Sequence, residues 1–101
     1  MSRIAKIQTQ LDLTPEDPFL NYCLAMELAK EDDVPGARAA FQRVQTLDPR
    51  DVASYFQEGQ LLGRVGEVDE ARRVIELGIE RAIRVGNDHA LAEMRGFLGA
   101  L

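Results

Sequence analysis

Apolar side chains recur along this chain at spacings of three and four residues, the period of one face of an α-helix. After Asp17, for example, Leu20, Leu24 and Leu28 form one such stripe. No stretch alternates between apolar and polar residues as a half-buried strand does. The pattern therefore predicts an all-α protein, with helices over the segments 3–13, 19–30, 34–47, 52–65, 67–85 and 89–101.

Capping and turn residues mark the boundaries of these helices. Asp33, Asp51 and Asp88 stand just before three of the apolar patterns, where an aspartate side chain can accept hydrogen bonds from the first N–H groups of a helix. Gly66 and Gly86 follow two of the patterns, and glycine readily adopts the left-handed backbone that ends many helices. These residues predict three helix starts and two tight turns.

The start of the second helix is marked twice. Thr14 can cap a helix that has Pro15 in its first turn, and Asp17 can do the same with Pro18. The sequence alone leaves both starting points open.

One segment of the chain occurs twice. The stretch Asp17–Pro49 matches the stretch that begins at Asp51 when the two are shifted by about 34 residues, a period typical of helix–turn–helix repeats. Such a repeat favours a binding scaffold over an enzyme. The shift brings residues of the same kind together: Leu28 with Leu62, Val34 with Val68, Ala37 with Ala71, Ala25 with Gly59 and Lys30 with Arg64.

The repeat resembles the tetratricopeptide repeat, whose pattern combines a large residue, a leucine followed by a small residue, an aromatic, two alanines and a closing proline. The resemblance covers the chain from Asp17 to about Ala82. It implies that the small residues let paired helices approach closely, Ala25 against Ala37 and Gly59 against Ala71. The matching positions are Leu24, Ala25, Leu28, Ala37, Phe41, Val44 and Pro49 in the first copy, and Tyr55, Gly59, Leu62, Ala71, Ile75 and Gly78 in the second.

The resemblance implies a fold of antiparallel helix–turn–helix repeats, stacked as a short right-handed α-solenoid in a single domain. Residues 1–15 would be a degenerate half repeat, and residues 17–50 and 51–85 two full repeats, the second with an extended second helix. Residues 87–101 would form a C-terminal capping helix. Three layers of helices are about the minimum that such a stack needs.

The chain departs from the family pattern at three positions. Asn21 stands where the first copy should have a large residue. Glu58 stands where the second copy should have leucine, so that helix is expected to pack through Leu61 and Leu62 instead. The closing proline of the second copy is absent, and Ile83 occupies its position.

The resemblance also implies a concave groove, lined by the first helix of each repeat, that binds a peptide or a partner protein. The groove residues are apolar at one end and basic at the other, so the expected partner segment has an apolar anchor and an acidic residue. They are Phe19, Tyr22, Cys23, Met26 and Lys30 from the first copy, and Phe56, Gln57, Gln60 and Arg64 from the second.

Two aromatic residues of this groove lead to a mutational expectation. Aromatic anchors carry a large share of binding energy, so Tyr22→Ala and Phe56→Ala are expected to weaken binding before they unfold the domain. Some members of the family clamp the C-terminal carboxylate of heat-shock chaperones with lysine, asparagine and arginine. The corresponding positions here hold Tyr22, Met26 and Gln57, so this clamp is not expected.

Charge and composition narrow the function further. The chain has 101 residues and a net charge of −5, which argues against nucleic acid as a partner because phosphate contacts need a basic surface. No apolar run approaches the roughly 18 residues that a membrane span needs, and no apolar signal segment opens the chain. A cytoplasmic protein that does not bind membranes is expected.

Few residues of this chain could carry chemistry. Cys23 has no basic neighbour in sequence to activate its thiol, and His89 with Glu93 supplies too few ligands for zinc. Glu31, with the two aspartates after it, forms a solvated turn without the spaced ligands of a calcium loop. The expectation is therefore a protein without catalytic residues, metal or cofactor.

The last predicted helix leaves one question open. Leu91, Met94, Leu98 and Leu101 form an apolar stripe on this helix, which either the preceding helix pair or another molecule must cover. Covering by the chain itself fits a protein-interaction scaffold. The alternative function is a self-assembling structural module that forms homo-oligomers through the groove or through this helix.

Overall fold

The computed structural model describes residues 2–101, which form six α-helices and no β-strand. The all-α prediction is therefore confirmed. No helix within this range is long and apolar enough to cross a membrane. The helices are α1 (Arg3–Leu13), α2 (Pro18–Lys30), α3 (Val34–Leu47), α4 (Ala53–Arg64), α5 (Val68–Val85) and α6 (Asp88–Ala100).

The chain divides into two compact units, Met1–Pro49 and Arg50–Leu101. The division falls at the junction that the internal repeat predicts between its two copies. The first unit contains α1, α2 and α3, and the second contains α4, α5 and α6.

In the first unit, α2 packs along α3 as the two arms of a helical hairpin, and α1 packs on α2. The hairpin is closed by Asp33, whose carboxylate accepts a hydrogen bond from the Gly36 N–H at 3.0 Å. Each arm contributes apolar side chains that are shielded from water, which is the main stabilising contribution to such a hairpin. The buried residues are Leu11, Leu24, Ala25, Ala37, Ala40, Phe41 and Val44.

The double start signal before α2 is resolved by hydrogen bonding. Asp17 is the N-cap, because its Oδ1 accepts a hydrogen bond from the Leu20 N–H at 3.1 Å. Pro18 then occupies the first position of the helix, where a missing N–H costs nothing. Thr14 instead ends α1, donating its hydroxyl to the carbonyl of Gln10.

In the second unit, α4 and α5 form the hairpin and α6 packs on α5. Gly66 and Gly86 have φ values of 87° and 76°, so both predicted turns use left-handed glycine. The core of this unit joins residues from α5, from α6 and from the segment before α4. One cluster of this core consists of Val52, Ile75, Ala82 and Met94, and Leu61, Leu62, Ala71 and Val74 are buried in the same unit.

All three helix starts in the second unit differ from the prediction by one residue. Helix α4 begins at Ala53 with Val52 as its N-cap, so Asp51 lies one residue before the cap position predicted for it, although its carboxylate accepts a hydrogen bond from the Ser54 N–H at 3.1 Å. The cap of α6 is Asn87 and not Asp88, because the Asn87 side chain accepts the Ala90 N–H at 3.0 Å. Asparagine and aspartate are equally good caps, so sequence alone could not separate these neighbours.

Glu58 lies inside the second unit, with 1% of its surface exposed. Leu61 and Leu62 are buried as well, so α4 packs through these leucines as expected, but in addition to Glu58 and not in its place. The pKa of Arg73 is raised, chiefly by its hydrogen bond to Glu70 and to a smaller extent by the charge of Glu58. At the position where the family pattern has leucine, the second copy thus buries the acidic side chain of Glu58.

The close approach of α4 and α5 depends on two glycines. A Cβ atom on Gly59 would lie 2.4 Å from Cδ1 of Ile75, whereas the carbonyl oxygen of Ala71 would be 3.7 Å away. Gly59 must therefore be small chiefly because of Ile75. The family pattern had instead placed it against Ala71. A Cβ on Gly78 would lie 2.6 Å from the Cβ of Tyr55.

The stripe on α6 is covered by its own unit. Met94 is fully buried in the core, and its sulfur would lie 2.7 Å from a Cβ placed on Gly78. Leu91 and Leu98 pack against the same core and are partly buried. This arrangement agrees with a capping helix.

Candidate functional site

Four of the predicted groove residues lie along one face of α2. Phe19, Tyr22, Cys23 and Met26 follow one another at the spacings that bring side chains together on a helix. Phe19 is 71% exposed, whereas the other three are half-buried. This face therefore offers one protruding aromatic ring at the start of a partly sunken apolar strip.

Tyr22 also has a role inside the first unit. Its ring packs edge-to-face against the ring of Phe41 on α3, with the centroids 6.2 Å apart and an interplanar angle of 70°. Aromatic pairs in this geometry stabilise a fold beyond the area they bury. Replacing Tyr22 by alanine would remove this contact together with any contact to a partner.

The basic end of the α2 face is an ion-pair cluster. Lys30 is exposed, and its Nζ lies 3.4 Å from Oε1 of Glu27. The same carboxylate oxygen accepts a hydrogen bond from Nη1 of Arg3 on α1 at 3.0 Å. The hydrogen bond from Arg3 lowers the pKa of Glu27, and the charge of Lys30 adds to the effect.

Glu27 is a residue of this surface that sequence reasoning missed. Its spacing of three from Lys30 is a signal for an ion pair on a helix. Arg3 precedes it by 24 residues, so only the packing of α1 on α2 reveals the second partner. Glu27 partly offsets the basic charge that the pattern assigned to this end.

Replacing Glu27 by glutamine should lower stability at neutral pH. Because the folded-state pKa is lowered, the ionised carboxylate stabilises the fold above its unfolded pKa, and this contribution disappears as the pH falls through the folded value. The difference from wild type should therefore be present at pH 7, decline below the ordinary glutamate pKa of about 4.3, and vanish once the pH is below the lowered folded-state pKa. Urea unfolding at a series of pH values measures it.

The control for this prediction is Arg3→Gln, which removes the strongest partner and should reproduce most of the effect. Added salt should reduce the effect of both variants, because it screens exposed charges. A Glu27→Gln deficit that persisted unchanged at acid pH would contradict the ion-pair explanation.

The other four predicted groove residues lie on α4. Phe56, Gln57 and Gln60 are half-buried, and Arg64 is exposed at the last position of the helix. The ring of Phe56 packs edge-to-face against Phe97 of α6, with the centroids 5.9 Å apart. Like Tyr22, Phe56 therefore has an intramolecular partner.

The two sets belong to different units, and each unit places its own set on one helix. Four residues correspond through the repeat: Tyr22 with Phe56, Cys23 with Gln57, Met26 with Gln60 and Lys30 with Arg64. The residue that corresponds to Phe19 is Ala53. The protruding aromatic ring is thus particular to the first unit.

The residues that could carry other chemistry do not form a site. His89 lies on the surface with its Nε2 3.2 Å from Oε1 of Glu93, an ion pair only when the imidazole is protonated. Cys23 is a half-buried free thiol. Within residues 2–101, no group of three or more potential metal ligands comes together. The apolar face of α2 is therefore the strongest candidate for a functional surface.

Comparison with known proteins connects this geometry to solved structures. A tetratricopeptide repeat domain protein from Salinibacter ruber, determined by NMR, is 36% identical and has a TM-score of 0.73, over 83% of this chain and 85% of that one. A crystal structure from the same organism under the same description is 34% identical with a TM-score of 0.68, over 81% and 91% of the two chains.

A third structure shows the fold alone. A protein from Bordetella parapertussis aligns with 99% of this chain and 87% of its own, at a TM-score of 0.83 and 19% identity. No protein-family model matches the chain, and no curated protein matches it.

Proposed function

Because this chain belongs to the tetratricopeptide repeat family, we propose that it binds a segment of a partner protein along the exposed face of α2 in the first unit. The corresponding face of α4 in the second unit is proposed as a second contact surface in its own right. The family's fold is a protein-interaction module. The specific proposal is that the faces already described, and not the outer sides of α3 and α5, receive the partner.

Phe19 is the observation that carries this proposal. A phenylalanine exposed to 71% leaves a large apolar surface in water, and burying such a ring against a partner is strongly favourable. The half-buried side chains of Cys23 and Met26 continue this surface along α2. Methionine adapts its shape to different partners, which suits a site for an apolar anchor.

The remaining residues define the rest of the partner. Gln57 and Gln60 each carry a donor and an acceptor, so their amides can bind the main chain of an extended segment. Lys30 and Arg64 end the two helices with positive charge, although Glu27 offsets part of it. For the α2 face we therefore propose a partner segment with an apolar side chain at Phe19 and an acidic residue near Lys30, at the C-terminal end of the helix.

Self-assembly through α6 receives no support from the packing of that helix. The stripe that could have made oligomers contains Met94, which is buried in its own unit, and Leu91 and Leu98, which pack on the same core. Self-association through the Phe19 surface is a separate outcome that the experiment below detects.

The proposal predicts that a photoreactive benzoylphenylalanine at position 19 will crosslink to a partner protein in a lysate of the source organism. The same group at Leu13, which is 83% exposed on α1 outside this surface, is the matched control and should crosslink far less. Once the partner is known, Phe19→Ala should weaken its binding about tenfold or more, because buried aromatic anchors contribute about 2 kcal/mol or more.

The crosslinked species distinguish the two functions. Crosslinks to a foreign protein support the interaction module, whereas crosslinks only to a second copy of the chain would favour the self-assembling module. Equal labelling from positions 13 and 19 would remove the case for this surface. Phe19 is a better probe than Tyr22 or Phe56, since both of those rings also stabilise the fold.

A further inference from the structure

Two adjoining hollows lie in the first unit, away from the surface proposed for the partner. The larger, about 400 Å³, has walls that include Pro15, Ala39 and Leu47. The smaller, about 230 Å³, is lined by Leu11 and Leu24 among others. Pro15 and Arg43 line both hollows, and none of the predicted groove residues lines either one.

A buried asparagine holds Arg43 in place between the hollows. Asn21, 1% exposed, donates through Nδ2 to the carbonyl oxygens of Pro15 at 3.1 Å and Asp17 at 2.9 Å. Its Oδ1 accepts a hydrogen bond from Nε of Arg43 at 2.9 Å. Arg43 itself is exposed, and this hydrogen bond anchors the Nε side of its guanidinium to a fixed amide.

Because Arg43 donates to Asn21 through Nε, its two Nη groups remain available to a ligand. The two Nη groups carry four N–H donors, and within residues 2–101 they form no hydrogen bond or ion pair. A planar fork of this kind binds a carboxylate through two parallel hydrogen bonds. Holding the fork in advance removes part of the entropic cost of binding.

The helical hairpin does not in general require the Asn21–Arg43 hydrogen bond. In the second copy, the positions that correspond to Asn21 and Arg43 hold Tyr55 and Leu77, and the α4–α5 hairpin forms without them. Asn21 is also the position at which the first copy departs from the large residue of the family pattern. The polar link and the hollows beside it are thus particular to the first unit.

We propose that Arg43 and the larger hollow form a binding site for a small organic monocarboxylate with a short apolar body. The carboxylate would bind the guanidinium fork, and the apolar body would lie against Pro15, Ala39 and Leu47. The hollow is open to solvent, and its volume of about 400 Å³ lies at the lower end of the range for small-molecule sites. The site is independent of the partner surface on α2 and α4.

The acidic residues around the hollows restrict the ligand. Glu16 lines the larger hollow and Asp12 the smaller one, so a second negative charge on the ligand would be repelled. In the larger hollow the single positive charge of Arg43 stands beside the single negative charge of Glu16, so each negative charge on a ligand adds repulsion. This arrangement favours a monocarboxylate over a dicarboxylate or a phosphate.

The test is an NMR titration of the whole chain with 4-methylpentanoate, monitored through the backbone amides of Glu16, Gln42, Arg43 and Thr46. We expect these amides to shift with a dissociation constant on the order of 1 mM, and 4-methylpentanamide, which lacks the charge, to bind at least about tenfold more weakly. Equal binding of acid and amide, or shifts confined to other regions, would overturn the proposal.

Substitutions of Arg43 test whether binding depends on the planar guanidinium or only on a positive charge. Arg43→Gln and Arg43→Lys should each weaken binding at least about tenfold, because lysine keeps the charge but lacks the fork. Arg72→Gln, which removes one exposed arginine from α5, is the control and should bind like wild type. Unchanged binding by folded Arg43→Lys would contradict the fork, and amide spectra of each variant establish that it is folded.

A second test compound asks whether the carboxylate could instead come from an acidic side chain of a partner protein. N-acetyl-glutamate N-methylamide presents the same charge on a side chain within a peptide backbone. Weaker binding of this compound than of 4-methylpentanoate supports a small-molecule site. Tighter binding would overturn it in favour of an acidic side chain from a partner protein.

Discussion

Replacement of Phe41 by alanine is expected to lower the free energy of unfolding by about 3–5 kcal/mol. Phe41 is fully buried between α3 and α2, so truncation removes its apolar area from the core and leaves a cavity. The edge-to-face contact with Tyr22 is lost in the same step. Small domains have a total stability of about 5–15 kcal/mol, so this single change should consume a large part of it.

The measurement is urea unfolding followed by circular dichroism. Leu13→Ala is the control, because Leu13 is largely in water and surface changes are usually within about 0.5 kcal/mol. Phe41→Leu should lie between the two, since leucine refills part of the cavity. A loss below about 1 kcal/mol for Phe41→Ala would show that this ring does not organise the first unit.

Replacement of Gly78 by alanine is expected to destabilise the second unit by about 1–3 kcal/mol, the usual cost of overfilling a core. The new methyl group would lie 2.6 Å from Cβ of Tyr55 and 2.7 Å from the sulfur of Met94. The methionine side chain can move aside, but Cβ of Tyr55 is fixed to the backbone of α4. Helices α4 and α5 must therefore separate.

Gly96 is the matched control for this prediction. It lies within α6, and a methyl group at this position would have no neighbouring atom within 4 Å. Gly96→Ala should therefore stabilise the chain by about 0.5–1 kcal/mol through helix propensity alone. The two identical substitutions should thus have opposite signs in thermal or urea unfolding. Stabilisation by Gly78→Ala would mean that the close packing of α4 on α5 can relax without cost.

Gly78 also shows how the two copies of the repeat compensate for differences in size. The second copy places Tyr55 and Gly78 where the first has Asn21 and Val44. A larger residue at one position is thus accompanied by a smaller residue at the other. The repeat pattern allows both combinations, but only the packed structure shows that glycine is required in the second.

The helices could be predicted because their signals are local. The spacing of apolar residues placed all six, and Asp33, Gly66 and Gly86 have the capping and turn roles expected of them. Errors are confined to one residue at helix boundaries, as at the start of α6, where the neighbours Asn87 and Asp88 have nearly equal capping ability.

The candidate surface was predicted less completely than the helices. The resemblance to the repeat family assigned Phe19 and Met26 to the groove face of α2, and the exposure of Phe19 agrees with a role as an anchor. The packing of Phe56 on Phe97 joins residues 41 positions apart, and no spacing rule predicts such a contact. The assignment of the α2 and α4 faces as a binding site stays a prediction until a partner is identified.

The sequence by itself determined the helix pattern, the two-copy repeat and the family, because each of these depends on residues close together in the chain or on one regular period. The tertiary structure alone decided that Glu58 is buried, that Gly78 must be small and that Asn21 holds Arg43. Each of these results depends on side chains that meet only after the helices pack. Their contacts are set by distance in space, which the linear order of residues does not record.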